Sequence, residues 1–521
     1  SSRVLVNGFL TDLINVFRSV RQGCPLSPLL YILQLETLAI KIRADTMIRG
    51  IKMPGQKGDA KLSLYADDIT SFLATLASLA KILELFGIFG EASGARLNRS
   101  KCKGMTICNS NGLGNMAHKT DITWQDTIKI YGVYFGLRGQ ELTQELVLNK
   151  LQGVVEFHRK RSLTMRGKAL IINVLFLTRL WYAGTVILFD ADFIAKIQRV
   201  IFKFLWRTTE WLARQTVVGP VDQGGLGVFD INTRLAALRV MHIKRFTFGN
   251  AVCWHSLAAY WIGFSVRQFN NTHARNTIVH AESERPAFYE KALQDFRHYL
   301  SMTNGDFNST VKLRQVYNTL LNNVWRRPRI ESTDPTRSKT WPALGDKLFD
   351  PRARDLLWRV GHEILTVRQM LNMRGMNVPQ ECGLCNRHVE SVEHLFVFCP
   401  VVAPLWHLVN RLASVITGIS TPLTVDEVLY LKTTRSNVTL YHRPVVLVTS
   451  ELLGAIWSTR NGNLFQHRRH STADIKSLFL FRLRARIKAD FSRLPREVFA
   501  SVWCVSAALC VVNNDSLTMM I

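Results

Sequence analysis

Two clusters in this 521-residue chain have residue types and spacings suited to chemistry. Tyr65-Ala66-Asp67-Asp68 sets adjacent carboxylates inside the run Lys61 to Phe72, which is otherwise apolar and strand-like. Such a run suits a tight β-hairpin whose tip presents an aspartate to a divalent metal. Nucleotidyl transfer needs two divalent cations about 4 Å apart, one activating a hydroxyl and both neutralising phosphates. Magnesium is held by hard oxygen ligands, mainly carboxylates. Asp67 is the expected direct ligand, with Asp68 touching the second metal or positioning the first. Taken alone, the tetrapeptide also fits an ordinary exposed Asp-Asp turn. The second cluster is Cys382-Gly383-Leu384-Cys385 with His394 and Cys399, spaced C-x2-C-x8-H-x4-C. Thiolates and an imidazole at this spacing favour tetrahedral zinc, and four ligands with no open position mean a structural site. His388 is a rival ligand, but it stands only three residues after Cys385, and His394 is preferred.

The elements that must position these clusters belong to a long, basic chain. Its length implies two to four folded units. Its hydrophobic content of 47% is ample for packed cores and excludes a disordered protein. A formal charge of +27 attracts phosphate backbones and makes binding salt-dependent. The basic residues alternate with apolar and aromatic ones, which favours nucleic acid over a merely basic surface. Nine cysteines scattered over this length do not make a secreted disulfide framework. Six are isolated, and only those between positions 382 and 399 cluster. No signal peptide is read at the start, and Ser1-Ser2-Arg3 without a methionine points to an opening inside a domain. The apolar runs Val498 to Val512 and Ala169 to Phe189 read as buried core helices rather than membrane spans.

Arg21 to Pro28 reads as a loop ending in a helix start, with Ser27 at the N-cap and Pro28 in the first helical position. That helix runs to about Arg43. A second covers about Leu76 to Phe89 and stops near Gly90 to Gly94. The stretch 145–270 is mainly helical and basic, 271–340 is a looser helical connector, and 341–412 is a compact unit around the cysteines. Residues 413–521 are helical again, with a basic stretch from Gln466 to Arg486.

Four blocks occur in order: Arg21-Gln22-Gly23-Cys24-Pro25-Leu26-Ser27-Pro28, the Tyr65 to Asp68 hairpin, Ser93-Gly94-Ala95-Arg96-Leu97-Asn98-Arg99-Ser100-Lys101, and Lys129-Ile130-Tyr131-Gly132-Val133-Tyr134-Phe135-Gly136. In this order and spacing they resemble the reverse transcriptase of non-LTR (LINE-type) retrotransposons. His158-Arg159-Lys160-Arg161 to Leu170, Phe204-Leu205-Trp206 and Gln223-Gly224-Gly225-Leu226-Gly227 resemble the thumb region of the same family. Arg354 to Arg359, the cysteine cluster and Pro404-Leu405-Trp406 resemble its zinc-binding domain. Ile456-Trp457-Ser458-Thr459-Arg460-Asn461 is similar to a segment near the end of some members, with no role legible from its chemistry.

The resemblance implies an α+β fold: a partial right-hand polymerase palm, an antiparallel sheet with helices, over 1–140. It is followed by a helical thumb and post-thumb region over 141–270, a helical connector over 271–340, the zinc-binding domain over 341–412, and a helical C-terminal region over 413–521. It implies that Gln22 and Gly23 sit by the template and incoming nucleotide. Asp67 and Asp68 match the metal-binding pair, for Mg2+ or Mn2+. Asn98 and Lys101 match the motif after the hairpin; Lys101 neutralises the leaving pyrophosphate, donates a proton, or is a plain surface lysine. Tyr131, Gly132 and Gly136 match a primer grip. Arg159, Lys160, Arg161 and Arg166 are expected on the duplex backbone, whereas Phe176, Trp181, Phe202 and Trp206 are expected in the core. Zn2+ holds the cysteine domain, and Arg368, Arg374 and Arg387 lie near it for contact with RNA or DNA.

The implied partners are element RNA as template, target-site DNA as primer and deoxynucleoside triphosphates, with no membrane. The implied location is nuclear on target DNA and cytoplasmic as a ribonucleoprotein. The family's earlier motif, which supplies another catalytic aspartate, is not found, and Asp12 is the only acid before Gln22. An N-terminally truncated RNA-directed DNA polymerase of the two-metal type, inactive alone, is therefore the expectation. The alternatives are a non-catalytic RNA- or DNA-binding derivative and an inert relic.

Overall fold

The computed structural model describes residues 3–15, 24–54, 58–107, 122–250, 252, 254–269, 284–329, 340–345, 349–431, 442–466, 468–513 and 516–521. They form two compact units interleaved along the chain: 1–153, 179–195 and 232–320 in the first, and 154–178, 196–231 and 321–521 in the second. The division drawn from the sequence is serial instead.

In the first unit, helices Ser27–Ala44 and Leu76–Ser93 pack together. Leu35, Leu38, Ile42, Ile48, Ile82 and Leu85 form their shared core. Leu26 rather than Ser27 is the N-cap of the earlier helix and makes no side-chain cap bond. The later helix is capped by Thr75, whose hydroxyl accepts from the Ser78 N–H at 3.2 Å. It runs through Gly90 to Ser93 and ends at Gly94, which is left-handed with φ 76°. Gly90 does not stop the helix. It is needed because a Cβ there would lie 2.7 Å from the returning Ala95 carbonyl oxygen.

The strands of this unit form two-stranded pairs, and among the described residues no larger sheet is built from them. Strand Leu62–Tyr65 pairs antiparallel with Asp68–Ser71, with Tyr65 opposite Asp68 and Leu64 opposite Ile69. Side chains alternate across a strand. Leu62, Leu64 and Ile69 accordingly pack on the helical core, which leaves Ser63 and Tyr65 on the other face. The described part of 271–340 is better packed than a loose connector. Helix Ala287–Met302 buries Leu293, Phe296 and Tyr299, and the Phe296 and Phe307 rings meet at 4.7 Å.

In the second unit, the turn Gln223 to Val228 is a packing device. The Gly224 carbonyl accepts from Trp358 Nε1 at 2.9 Å and lies 2.7 Å from His362 Nε2. A Cβ at Gly225 would fall 1.9 Å from the Gly219 carbonyl oxygen. Asn173 ties to the same turn, donating to the Gly227 carbonyl at 2.7 Å and accepting from the Phe229 N–H at 3.0 Å.

Both long apolar runs depart from the expected single helix. A π-helical turn, Ile172–Phe176, separates helices Met165–Ile171 and Leu177–Gly184. At the other run, helix Arg496–Trp503 ends and the chain continues into strand Cys510–Asn513. Ser506 and Ala507, at φ 53° and 50°, cannot continue a right-handed helix. No helix among the described residues is long and apolar enough to cross a membrane.

Candidate catalytic hairpin and zinc centre

Ala66 and Asp67 form the two-residue loop of the aspartate hairpin, and Ala66 takes φ 52°. Positive φ at the first loop position is what lets so short a loop follow the strand twist. Asp67 and Asp68 are both exposed at this tip. Asp67 lies close enough to Tyr31 to act on it. The Tyr31 phenol is held above its ordinary range, first by burial and then by the Asp67 charge.

A second hairpin leans on this one. Thr127–Ile130 pairs with Val133–Gly136 through the loop Tyr131-Gly132, whose φ angles are 48° and 87°. Positive φ at both positions is the demand of a type I′ turn, and for a tyrosine it carries strain. Three contacts hold Tyr131 there. Its ring meets Tyr65 edge-on at 5.7 Å, its hydroxyl lies 3.4 Å from Ser63 Oγ, and its carbonyl accepts from the Tyr182 hydroxyl. Ser63 and Tyr65 are the side chains turned away from the helical core. Gly136 closes the hairpin at φ 117°, where a Cβ would lie 2.0 Å from the Asp126 carbonyl oxygen. The chemistry available is thus a pair of exposed carboxylates with an aromatic-backed hairpin beside them. Carboxylate oxygens fit magnesium in kind. Among the described residues, however, Asp67 and Asp68 do not belong to any group of three or more metal-capable side chains.

The group of that kind found among the described residues is Cys382, Cys385, His394 and Cys399, whose ligand atoms all lie within 4.8 Å of one another. The Cys382 and Cys399 sulfurs are 4.0 Å apart, and Cys385 Sγ is 3.4 Å from His394 Nε2. Tetrahedral zinc with Zn–S bonds of about 2.3 Å would place such atoms roughly 3.5–3.8 Å apart, so the donors fit it. His388 Nδ1 approaches Cys385 Sγ at 3.9 Å from an exposed position, outside that group. Cys382 and Cys399 share a sulfur–sulfur hydrogen bond, which pulls the Cys382 thiol below its ordinary range and pushes Cys399 above. The loop favours a thiolate at Cys382: the Leu384 N–H points at its Sγ at 3.4 Å, and Asn386 closes the turn at φ 52°.

Behind the loop stands a pair that sequence reasoning missed. Glu390 is fully buried, and Arg460 is 3% exposed. Arg460 donates to both Glu390 oxygens, Nη2 at 2.5 Å and Nε at 3.2 Å. Glu390 also accepts from the Gly383 N–H at 2.8 Å and the Arg368 N–H at 3.0 Å. Asn463 Nδ2 donates to the Gly383 carbonyl at 3.2 Å. The segment Trp457 to Asn463 therefore grips the cysteine loop by its backbone. Arg460 stands in the polar run Ser458 to Asn463 of helix His442–Phe465, so its sequence neighbours gave no sign of a buried acid partner.

Comparison with known proteins bears on both sites. Residues 5–135 match the family model described as reverse transcriptase (RNA-dependent DNA polymerase). Residues 315–406 match the one described as zinc-binding in reverse transcriptase. The chain is also similar to the transposon TX1 uncharacterized 149 kDa protein of Xenopus laevis, 31% identical over 307 residues, or 56% of this chain. In both matched regions the chain resembles the reverse transcriptases of non-LTR retrotransposons. It spans 23% of the length of the TX1 relative.

The remaining expected site residues differ in how they are placed. Gln22 and Gly23 lie outside the described residues. Asn98 caps the short helix Arg99–Lys101, accepting from the Lys101 N–H at 3.3 Å and from Ser100 Oγ at 2.7 Å. Its side chain is therefore engaged locally, while Lys101 is exposed. Arg159, Lys160 and Arg161 are exposed, with Arg159 3.5 Å from Glu156 and Arg161 over the Phe157 ring. Arg166 is half-buried instead and donates to the Leu344 carbonyl at 3.4 Å, so it does not share their exposed face. Burial and the neighbouring Arg354 hold its guanidinium down to about 10. Phe176, Phe202 and Trp206 are buried and Trp181 is half-buried. Near the zinc loop, Arg374 and Arg387 are exposed, and Arg368 donates to the Glu381 carbonyl.

Proposed function

We propose that this reverse transcriptase chain holds an RNA template paired to a DNA primer, with the primer end at the Tyr131-Gly132 hairpin beside Asp67 and Asp68. The observation that carries the reading is the seating of Tyr131 on Ser63 and Tyr65, which joins the expected primer grip to the carboxylate hairpin. Asp67 and Asp68 would hold magnesium or manganese. When bound, that ion supplies neutralisation of the triphosphate and activation of the primer hydroxyl. Hairpin backbone near Gly132 positions the primer, and Arg159, Lys160 and Arg161 contact the duplex backbone by charge alone. In this reading residues 1–140 act as palm and 141–270 as thumb, with deoxynucleoside triphosphates as substrates. Element RNA and nicked chromosomal DNA are the partners, met in the nucleus. Zinc on Cys382, Cys385, His394 and Cys399 is structural.

A second reading, binding without catalysis, is favoured by one observation: the two carboxylates have no third metal-capable partner gathered with them among the described residues. A metal site short of a ligand leaves the reacting groups misplaced, and small misplacements cost large factors in rate. The 521-residue chain is therefore expected to bind an RNA–DNA template–primer and not to extend it in Mg2+ or Mn2+ with all four nucleotides. Processive extension that is lost in Asp67→Asn would replace this second reading with the catalytic one.

A further inference from the structure

The second unit carries a groove to which nothing above assigns a role. Two adjoining cavities, of about 240 and 340 Å³, share Arg352, Leu356 and Trp457 as lining. They lie between helix Pro351–Gly361 and helix His442–Phe465. Resting on the reading that this chain binds nucleic acid, we propose that the groove takes a single-stranded segment of RNA or DNA.

Its chemistry is that of a strand-tracking channel, which combines cations for phosphates with aromatic faces for bases. Arg352 is exposed and has no ion-pair partner among the described residues. Arg359 and Arg482 line the same groove, paired with Asp355 at 2.8 Å and Glu451 at 3.1 Å. Behind the wall the positive charge is under-compensated. Lys168 is pushed down to about 8 by burial and then by Arg207 and Arg359, while Asp355 alone opposes them. Trp457 lines both cavities, and Phe465 lines the second with 75% of its surface exposed. An apolar ring this exposed in a groove wall offers a stacking face. A base reaches such a face only when unpaired and unstacked, which selects a single strand over a duplex. Asn461 and Ser458 add polar groups on the Trp457 side.

The test uses the intact chain with two fluorescent probes, an unstructured oligouridylate of about 15 nucleotides and a blunt RNA–DNA duplex. The variant carries Phe465→Ala and Arg352→Ala, both at exposed positions, and its fold is checked by its melting curve. Loss of a stacking face and a phosphate contact is expected to weaken single-strand binding about tenfold or more, with duplex binding within about twofold of wild type. A photo-crosslink from 5-iodouridine in the oligonucleotide should map to the peptide holding Trp457 or Phe465. Unchanged single-strand affinity in a folded variant that still binds duplex would overturn the groove and spare the parent reading. Failure of the wild type to bind either probe would overturn both.

Discussion

Arg460→Ala is expected to destabilise the second unit by about 3–5 kcal/mol, the usual cost of removing one member of a buried ion pair. The residue left behind explains the size. Glu390 is fully buried, and without Arg460 only the Gly383 and Arg368 N–H groups face its charge. Glu390→Ala should cost a similar amount, because it strands the guanidinium and frees the Gly383 amide together. The double variant should cost clearly less than the sum, as for any pair in direct contact. Arg460→Lys should not rescue. A single ammonium cannot reproduce the fork that spans both Glu390 oxygens and reaches the Thr366 carbonyl at 3.3 Å. The loop gripped by this pair carries two of the zinc donors, so zinc affinity should fall roughly 10- to 100-fold in each single variant. Urea unfolding followed by tryptophan fluorescence, with chelator competition for zinc, reads both effects. A loss below about 1 kcal/mol with unchanged zinc affinity would show that the pair does not hold the cysteine loop.

Cys382→Ser and Cys399→Ser should each abolish zinc retention, and chelation of the wild type should unfold the cysteine loop. Structural zinc contributes about 10–16 kcal/mol in zinc-finger peptides, far more than the other interactions of such a loop supply. Both thiols are fully buried, as are Leu395, Phe396 and Val402 nearby in sequence, so an empty cluster would leave two thiols shielded from water. His394→Ala is expected to lose the metal and His388→Ala to keep it, since His394 Nε2 is the nitrogen within 3.4 Å of Cys385 Sγ. Metal analysis after exhaustive dialysis should return about one equivalent for the wild type and for His388→Ala. Less than about half an equivalent in the wild type would refute the site.

What the sequence made legible was local or set by spacing. The apolar, strand-like run broken by Asp67 and Asp68 marks a hairpin, because the turn needs residues that tolerate solvent while the strands pack Leu62, Leu64 and Ile69 on one face. The cysteine spacing survives as a cluster because its loop is short enough to allow little else. The illegible parts depend on distant partners. Arg460 and Glu390 are seventy residues apart, and no periodicity links a helix in the C-terminal region to an acid beside the zinc loop. Tyr131 and Ser63 are separated by 68 residues, so no local pattern shows that the two hairpins join. The apolar runs misled for a related reason. Hydrophobicity alone did not register the π-helical turn at Ile172–Phe176 or the left-handed residues Ser506 and Ala507. Gly90, expected to end a helix, serves a close backbone approach instead.

Under the proposed function, Arg159, Lys160 and Arg161 hold a template–primer duplex by its phosphate backbone. The most direct measurement is the affinity of the intact chain for a blunt RNA–DNA duplex across a range of salt concentrations. Log affinity should fall linearly with log salt, and replacing Arg159, Lys160 and Arg161 by Ala should reduce the slope by up to about three. Absence of binding, or a wild-type slope that these three substitutions leave unchanged, would contradict it.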